Sequence, residues 1–324
     1  MPIATRLTEL LKVQHPILLA PMDLVADGRL AATVSRAGGF GIIGGGYGNE
    51  EWLRRELDAA GDARVGVGFI TWSMAKNPRL LDIALERKPP AIILSFGDVK
   101  PHAGKIKRAG ALMICQVQTV EQAKDAAANG ADVLVAQGAE GGGHGVARGT
   151  FALIPAVVDA ARGIPVAAAG GVADGRGLAA ALMLGADGVL VGTRFYATQE
   201  AVGAMAAKER IVAASGDKTI RSILFDIARR NVWPAPYTGR VLRNEFSERW
   251  RGREAELMQH QAEEAARYDK ARQEGDFDTA AVIAGEGVDM ISDIPPAAEV
   301  VERIAKEAAA LLAGSNRFRV SERA

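Results

Sequence analysis

The chain has 324 residues, 48% of them hydrophobic and 24% charged, a composition typical of soluble globular proteins. Its 39 basic residues balance its 39 acidic ones, so no net field recruits nucleic acid or an anionic membrane. The single cysteine, Cys115, excludes an intramolecular disulfide and a cysteine-cluster metal site, and the four histidines show no paired ligand spacing.

No apolar run reaches transmembrane length, and residues 1–14 carry charge every few positions, which argues against a signal peptide. The chain therefore reads as a cytoplasmic protein; its oligomeric state is not legible in the sequence. Short apolar runs recur at 17–20, 41–43, 65–70, 91–95, 112–117, 133–137, 166–169 and 189–191. Helical stretches at 30–37, 50–60, 80–86, 120–129, 153–161 and 174–184 separate most of them. Eight buried strands alternating with helices predict an α/β fold, a (β/α)8 TIM barrel. An open doubly wound sheet would want a glycine fingerprint at a strand-to-helix turn. Gly39-Phe-Gly41-Ile-Ile-Gly44 has that spacing, but its middle lies on the second strand, so the match is accidental.

After Phe195 the rhythm stops. Helical segments at 204–214 and 224–231 and a charged stretch at 245–274 predict a helical subdomain, 204–287, inserted at the C-terminal rim of a barrel formed by 1–203. Residues 288–324 read as a return to the barrel. They hold an amphipathic helix at 295–312, striped by Val300, Val301, Ile304, Ala308 and Leu311, and then a polar, basic, frayed end at 315–324.

Active sites of such barrels lie at the C-terminal ends of the strands. The last two strands end in Gly170-Gly171 and Gly192-Thr193, where bare backbone N–H groups can approach an anion, a phosphate site. The helix between them offers Ala179, Ala180, Leu182 and Met183 for packing on the sheet. Strand six runs into Gln137-Gly-Ala-Glu140-Gly-Gly142-Gly143-His144, and His144 is the only histidine at a predicted strand mouth. A histidine in a glycine-dense loop beside a ligand points to catalysis. Glu140 reads as an outward salt-bridge partner of Arg148 rather than a base, Cys115 as a core residue, and Trp72 as a cover for the site or simple packing beside it.

These motifs resemble the FMN-dependent nitronate monooxygenases, formerly called 2-nitropropane dioxygenases. The likeness rests on Ala20-Pro21-Met22, on Ser35-Arg-Ala-Gly-Gly-Phe-Gly41 and on the Glu140–His144 loop. It continues through Ala168-Ala-Gly-Gly-Val-Ala-Asp174-Gly, Gly185-Ala-Asp-Gly-Val-Leu-Val-Gly-Thr-Arg-Phe195 and Gly239-Arg-Val-Leu-Arg-Asn244. The resemblance implies FMN as cofactor, an alkyl nitronate or nitroalkane with dioxygen as substrates, and one-electron transfer to the flavin, yielding a carbonyl compound and nitrite. It implies that His144 is the active-site histidine, either a protonated donor to the nitronate or a neutral base toward a nitroalkane. Ala20, Pro21 and Met22 would line the flavin ring, Gln116 and Gln137 would touch it, and Gly170, Gly171, Gly192 and Thr193 would hold its phosphate. NAD(P)H-dependent enoyl-ACP or quinone reductases share the scaffold and form the alternative, with residues 233–243 as a dinucleotide docking surface. Gln116 stands where the quinone-reductase group has lysine. Gly68 stands where many relatives have asparagine, with Thr71 or a water to replace the lost amide, and Gly141 where alanine is commoner.

Overall fold

Fully buried parallel strands read as near-continuous apolar runs, and that is how the barrel strands of this chain are written. The computed structural model describes residues 2–314; the frayed end expected at 315–324 lies outside the described residues. The strands are β1 (Ile17–Leu19), β2 (Ile42–Gly44), β3 (Gly66–Ile70), β4 (Ala91–Ser95), β5 (Leu112–Val117) and β6 (Val133–Gln137). After a short strand outside the sheet, β7 (Gly143–Gly145), come β8 (Val166–Ala169) and β9 (Gly188–Val191). The parallel sheet runs β1-β9-β8-β6-β5-β4-β3-β2. Its ends meet at Phe40, whose N–H donates to Ile17 O at 2.9 Å and whose carbonyl accepts from Leu19 N at 3.0 Å. The barrel is thereby closed as a (β/α)8 barrel.

Side chains alternate across the wall. Leu18, Ile93, Ile114, Val133 and Val135 fill the interior, while Ile17, Leu19, Ile92, Leu94 and Leu134 face the surrounding helices. The helix Arg6–Leu11 stoppers the N-terminal end, with Leu7 and Leu11 joining the interior cluster and Arg6 bonded to Asp187 at 2.7 and 2.8 Å. Asp174 caps the helix Gly175–Met183 by accepting from Gly177 N at 3.1 Å. That helix buries Leu178, Ala179 and Ala181. Ala180 and Met183, expected on the sheet, point outward, because a 100° turn per residue carries them off the inner face. The helix Ala297–Ala313 packs against it and against the helix Gly28–Arg36. Its stripe is Val300, Val301, Ile304, Ala305 and Ala308; Leu311 is 43% exposed, and Leu312 leans on the core in its place.

The inserted region differs from the all-helical expectation. Its helices are Met205–Ala213, Leu224–Ala228, Glu245–Trp250, Glu254–Gln259 and Gln261–Glu274, the charged stretch being broken at Gly252 and His260. It also contributes β10 (Thr219–Ser222) and β11 (Thr238–Leu242), which form an antiparallel sheet in the order β10-β11-β7. Thr-Ile-Arg-Ser is short, polar and half-buried, so no apolar alternation marks it as a strand. The core of this region gathers Phe225, Phe246, Trp250, Tyr268, Phe277 and Val288 and leans on Ala173 and Ala197.

Candidate active site

A cavity of about 580 Å³ opens at the C-terminal ends of the strands, roofed by the inserted region. Ala20, Pro21, Met22, Gln116, Gln137, Gly142, Gly143, His144, Gly170, Gly171, Gly192 and Thr193, singled out from the sequence, all line this one cavity. None of the N–H groups of Gly170, Gly171, Gly192 and Thr193 donates to an acceptor among the described residues. Four bare donors thus stand together at the mouths of β8 and β9, a cradle of the kind of backbone N–H group that can receive an anion. Gly170 and Gly171 hold φ +99° and +75°, and a Cβ on Gly170 would stand 2.9 Å from Gly138 O and from Thr150 Oγ1. The cradle is tied to the roof by Gly285 N–H, which donates to Thr193 Oγ1 at 2.9 Å.

On the opposite side of the cavity, Ser95 at the end of β4 carries a buried hydroxyl with no partner among the described residues. Gln137 Oε1 accepts from Gln116 and Gln118, each at 2.9 Å, and Gln137 Nε2 donates to His144 O at 3.0 Å. The glycine loop is fixed by two arginines from the inserted sheet. Arg221 donates to Ala139 O at 2.8 Å, Gly141 O at 3.2 Å and Thr238 O at 2.6 Å, and Arg240 Nε donates to Ala139 O at 2.9 Å. Burial beside Arg240 pushes the Arg221 pKa down to about 10. Backbone pairing of His144 with Gly239 on β11 completes the support.

The His144 side chain is only 8% exposed, and Nε2 lies 2.9 and 3.0 Å from the two carboxylate oxygens of Asp226. Burial holds the His144 pKa below the ordinary histidine value; Asp226 pulls it upward, but burial prevails, helped by Arg229 and Arg221. Trp233 lies flat on the imidazole and donates from Nε1 to Tyr47 Oη at 3.0 Å. Burial pushes the Tyr47 hydroxyl up to about 12, so it stays neutral. Burial also raises the Asp23 carboxyl, which lines the cavity with Tyr47, Arg229 and Tyr268.

Several expectations are corrected. Glu140 makes no ion pair with Arg148 among the described residues; its carboxylate accepts from Thr150 N at 2.8 Å and Thr150 Oγ1 at 2.6 Å, capping the helix Thr150–Ala160. Of the two readings open for Trp72, packing is the one the structure has: it does not line the cavity and stands edge-on to Trp233, ring centroids 5.3 Å apart. Thr71 does not line the cavity either, and its buried hydroxyl has no partner, so it does not replace an asparagine at 68. A Cβ at Gly68 would lie 2.3 Å from Pro21 Cβ, which accounts for the glycine. Within residues 233–243, Trp233 stacks on His144 and β11 pairs with β10 and β7, while Pro234, Ala235, Pro236 and Arg243 stay exposed. Sequence reasoning missed Asp226, Trp233, Tyr47 and Ser95. The signal for Asp226 was a lone acid inside the apolar stretch Leu224-Phe-Asp-Ile-Ala.

Comparison with known proteins agrees with this architecture. The family model for nitronate monooxygenase matches residues 4–66 and 67–307. A nitronate monooxygenase of Neurospora crassa is 33% identical, with 91% of this chain and 89% of that protein covered. Among solved structures, FabK from Thermotoga maritima superposes with a TM-score of 0.87 at 33% identity, covering 98% of this chain and 100% of its own. A nitroalkane oxidase from Streptomyces ansochromogenes superposes at 0.78 with 26% identity, over 95% of this chain and 99% of its own. The match across nearly the whole chain establishes that this protein is an oxidoreductase belonging to the nitronate monooxygenase family.

Proposed function

We propose that the protein is an FMN-dependent enzyme that oxidises alkyl nitronates, and nitroalkanes through their nitronates, with dioxygen, giving a carbonyl compound and nitrite. The observation that carries this reading is a buried His144, bonded to Asp226, lining the same cavity as the bare N–H groups of Gly170, Gly171, Gly192 and Thr193. The chain's residues fit the cofactor: Gly170, Gly171, Gly192 and Thr193 would hold its phosphate. Ala20, Pro21 and Met22, Gly142 and Gly143 would wall its ring, and Gln116, Gln137 and the unpartnered Ser95 hydroxyl would meet its polar edge. When bound, FMN supplies the redox centre that takes electrons from the substrate and delivers them to dioxygen.

Two roles for His144 were open from the sequence, and the lowered pKa favours the neutral one. A neutral imidazole removes the α-proton of a nitroalkane and leaves the nitronate beside it. A nitronate supplied ready-made needs no such step. The test is oxygen uptake and nitrite release by the FMN-loaded protein with a primary alkyl nitronate and with the parent nitroalkane. His144→Ala should lower turnover of the nitroalkane at least tenfold, the smaller loss falling on the nitronate. Absence of oxygen uptake with the nitronate would overturn the reading.

A second reading, an NAD(P)H-dependent reductase, draws on the likeness to FabK. Rapid anaerobic bleaching of the bound flavin by NADH or NADPH would favour it.

A further inference from the structure

We propose that Asp226 is the positioning residue for His144, fixing the proton on Nε2 so that Nδ1 is the basic nitrogen toward substrate. This rests on the reading of His144 as the base. Asp226 sits on the helix Leu224–Ala228, whose other members Leu224, Phe225, Ile227 and Ala228 are all buried. A carboxylate in such a setting is costly unless it is hydrogen-bonded. Among the described residues its only side-chain partner is His144, and both oxygens converge on the one nitrogen at 2.9 and 3.0 Å. An ionised carboxylate only accepts hydrogen bonds, so Nε2 must carry the proton and Nδ1 keeps its lone pair.

The rest of the imidazole is equally constrained. Trp233 covers one face, parallel to within 6°, and Gln137 anchors the backbone of the same residue. In-plane rotation is checked by Asp226 and tilting by Trp233, which leaves the Nδ1 edge as the working edge. The helix itself is held to its successor by Asn231 N–H, which donates to Asp226 O at 2.9 Å. The barrel thus supplies the base, and the inserted region supplies the group that orients it.

The charged and titratable groups facing His144 are Asp226 and Arg229 from the end of this helix, Arg221 from β10 and the neutral hydroxyl of Tyr47 from the loop after β2. Asp226 is the one among them that favours the imidazolium. Without it the burial and the two arginines act unopposed, so the His144 pKa falls further.

With only four histidines in the chain, the tautomer is directly measurable. Histidine-labelled, FMN-loaded protein would be examined by nitrogen NMR, with His144→Gln identifying the signal. The wild type should show a protonated Nε2 and a bare Nδ1 near neutral pH. Asp226→Asn should deplete that tautomer, lower turnover of a nitroalkane about a hundredfold and move the acid limb of its pH profile to lower pH. Asp226→Glu should recover at least about a tenth of wild-type turnover and restore the tautomer.

An Asp226→Asn protein with the wild-type tautomer and acid limb would overturn the proposal. Should that variant fail to fold, the wild-type spectrum decides, since a proton found on Nδ1 with bare Nε2 is incompatible with the Asp226 contact. Failure of the underlying reading looks different: nitroalkane oxidation would survive in His144→Ala while the tautomer still responded to Asp226.

Discussion

Trp233 lies on His144 like a coin on a coin, ring centroids 3.5 Å apart and planes within 6°. The indole comes from the irregular stretch after the helix Leu224–Ala228, and the imidazole from the glycine loop after β6, so the stack joins inserted region to barrel. Around it stand Tyr47, Trp72, Phe96 and Tyr237, each edge-on or tilted to another ring. Stacked aromatic pairs contribute about 0.5–1.5 kcal/mol beyond their buried area. Trp233→Ala should therefore free the imidazole and lower kcat up to about tenfold, while Trp233→Phe keeps most of it. Steady-state kinetics on one small nitroalkane would check this; an unchanged kcat in Trp233→Ala would show the stack to be idle.

The pH dependence follows from the direction of the His144 shift. Burial lowers its pKa, so the neutral base persists from alkaline pH down through the ordinary histidine range. The value of kcat/KM for a nitroalkane should be level around pH 7 and fall only as the solution drops below about 6.5 toward the lowered pKa. For a nitronate, which has no proton to give, this acid limb should be absent. An acid limb centred above pH 7 for the nitroalkane would contradict the burial argument.

Gly170→Ala tests the anion cradle. At φ +99° an alanine is strained by about 1–3 kcal/mol, and its Cβ would crowd Gly138 O and Thr150 Oγ1 at 2.9 Å. The variant should purify depleted of flavin, with at least about tenfold weaker FMN affinity, and should unfold at lower temperature. Visible absorbance per protein and a titration with FMN would show it. Full occupancy would mean that the cradle is not where the phosphate sits.

Gly68→Asn tests the close approach of β3 to the segment after β1. Here it meets Pro21, with its Cβ 2.3 Å from Pro21 Cβ and 2.7 Å from Pro21 Cγ. Overpacking of this kind costs about 1–3 kcal/mol, so the midpoint of thermal unfolding should drop by several degrees, with flavin content falling alongside. A neutral or stabilising outcome would imply that the Pro21 segment yields freely.

The barrel was legible because its strands are buried on both faces and written as short apolar runs such as Ala91–Ser95 and Val133–Gln137. That Gly170-Gly171 and Gly192-Thr193 would share one cavity was legible because both follow adjacent barrel strands, whose C-terminal ends open to the same side. The second sheet was not: β10 and β11 are half-buried and rich in Thr, Arg and Ser, so neither alternation nor an apolar run betrays them. Asp226 was out of reach for a different reason. It lies 82 residues from His144, and a pair at that separation exists only once the fold has brought two regions together. Glu140 shows the converse, a residue whose charge suggested Arg148 nearby but whose geometry serves the start of a helix. The tryptophans were confused because sequence gives proximity to a strand end, as for Trp72, but not the depth to which a loop folds inward, as for Trp233.

β7 belongs by chain position to the barrel and by hydrogen bonding to the other sheet, where Gly143, His144 and Gly145 pair with Arg240, Gly239 and Thr238. The two parts are therefore not modules. Cutting out the insertion would strip a strand from the segment that carries the histidine, and grafting the insertion onto another barrel would leave β11 with a naked edge. An engineer seeking to exchange substrate preference between relatives would have to move the loop after β6 together with the insertion, as one inseparable cassette.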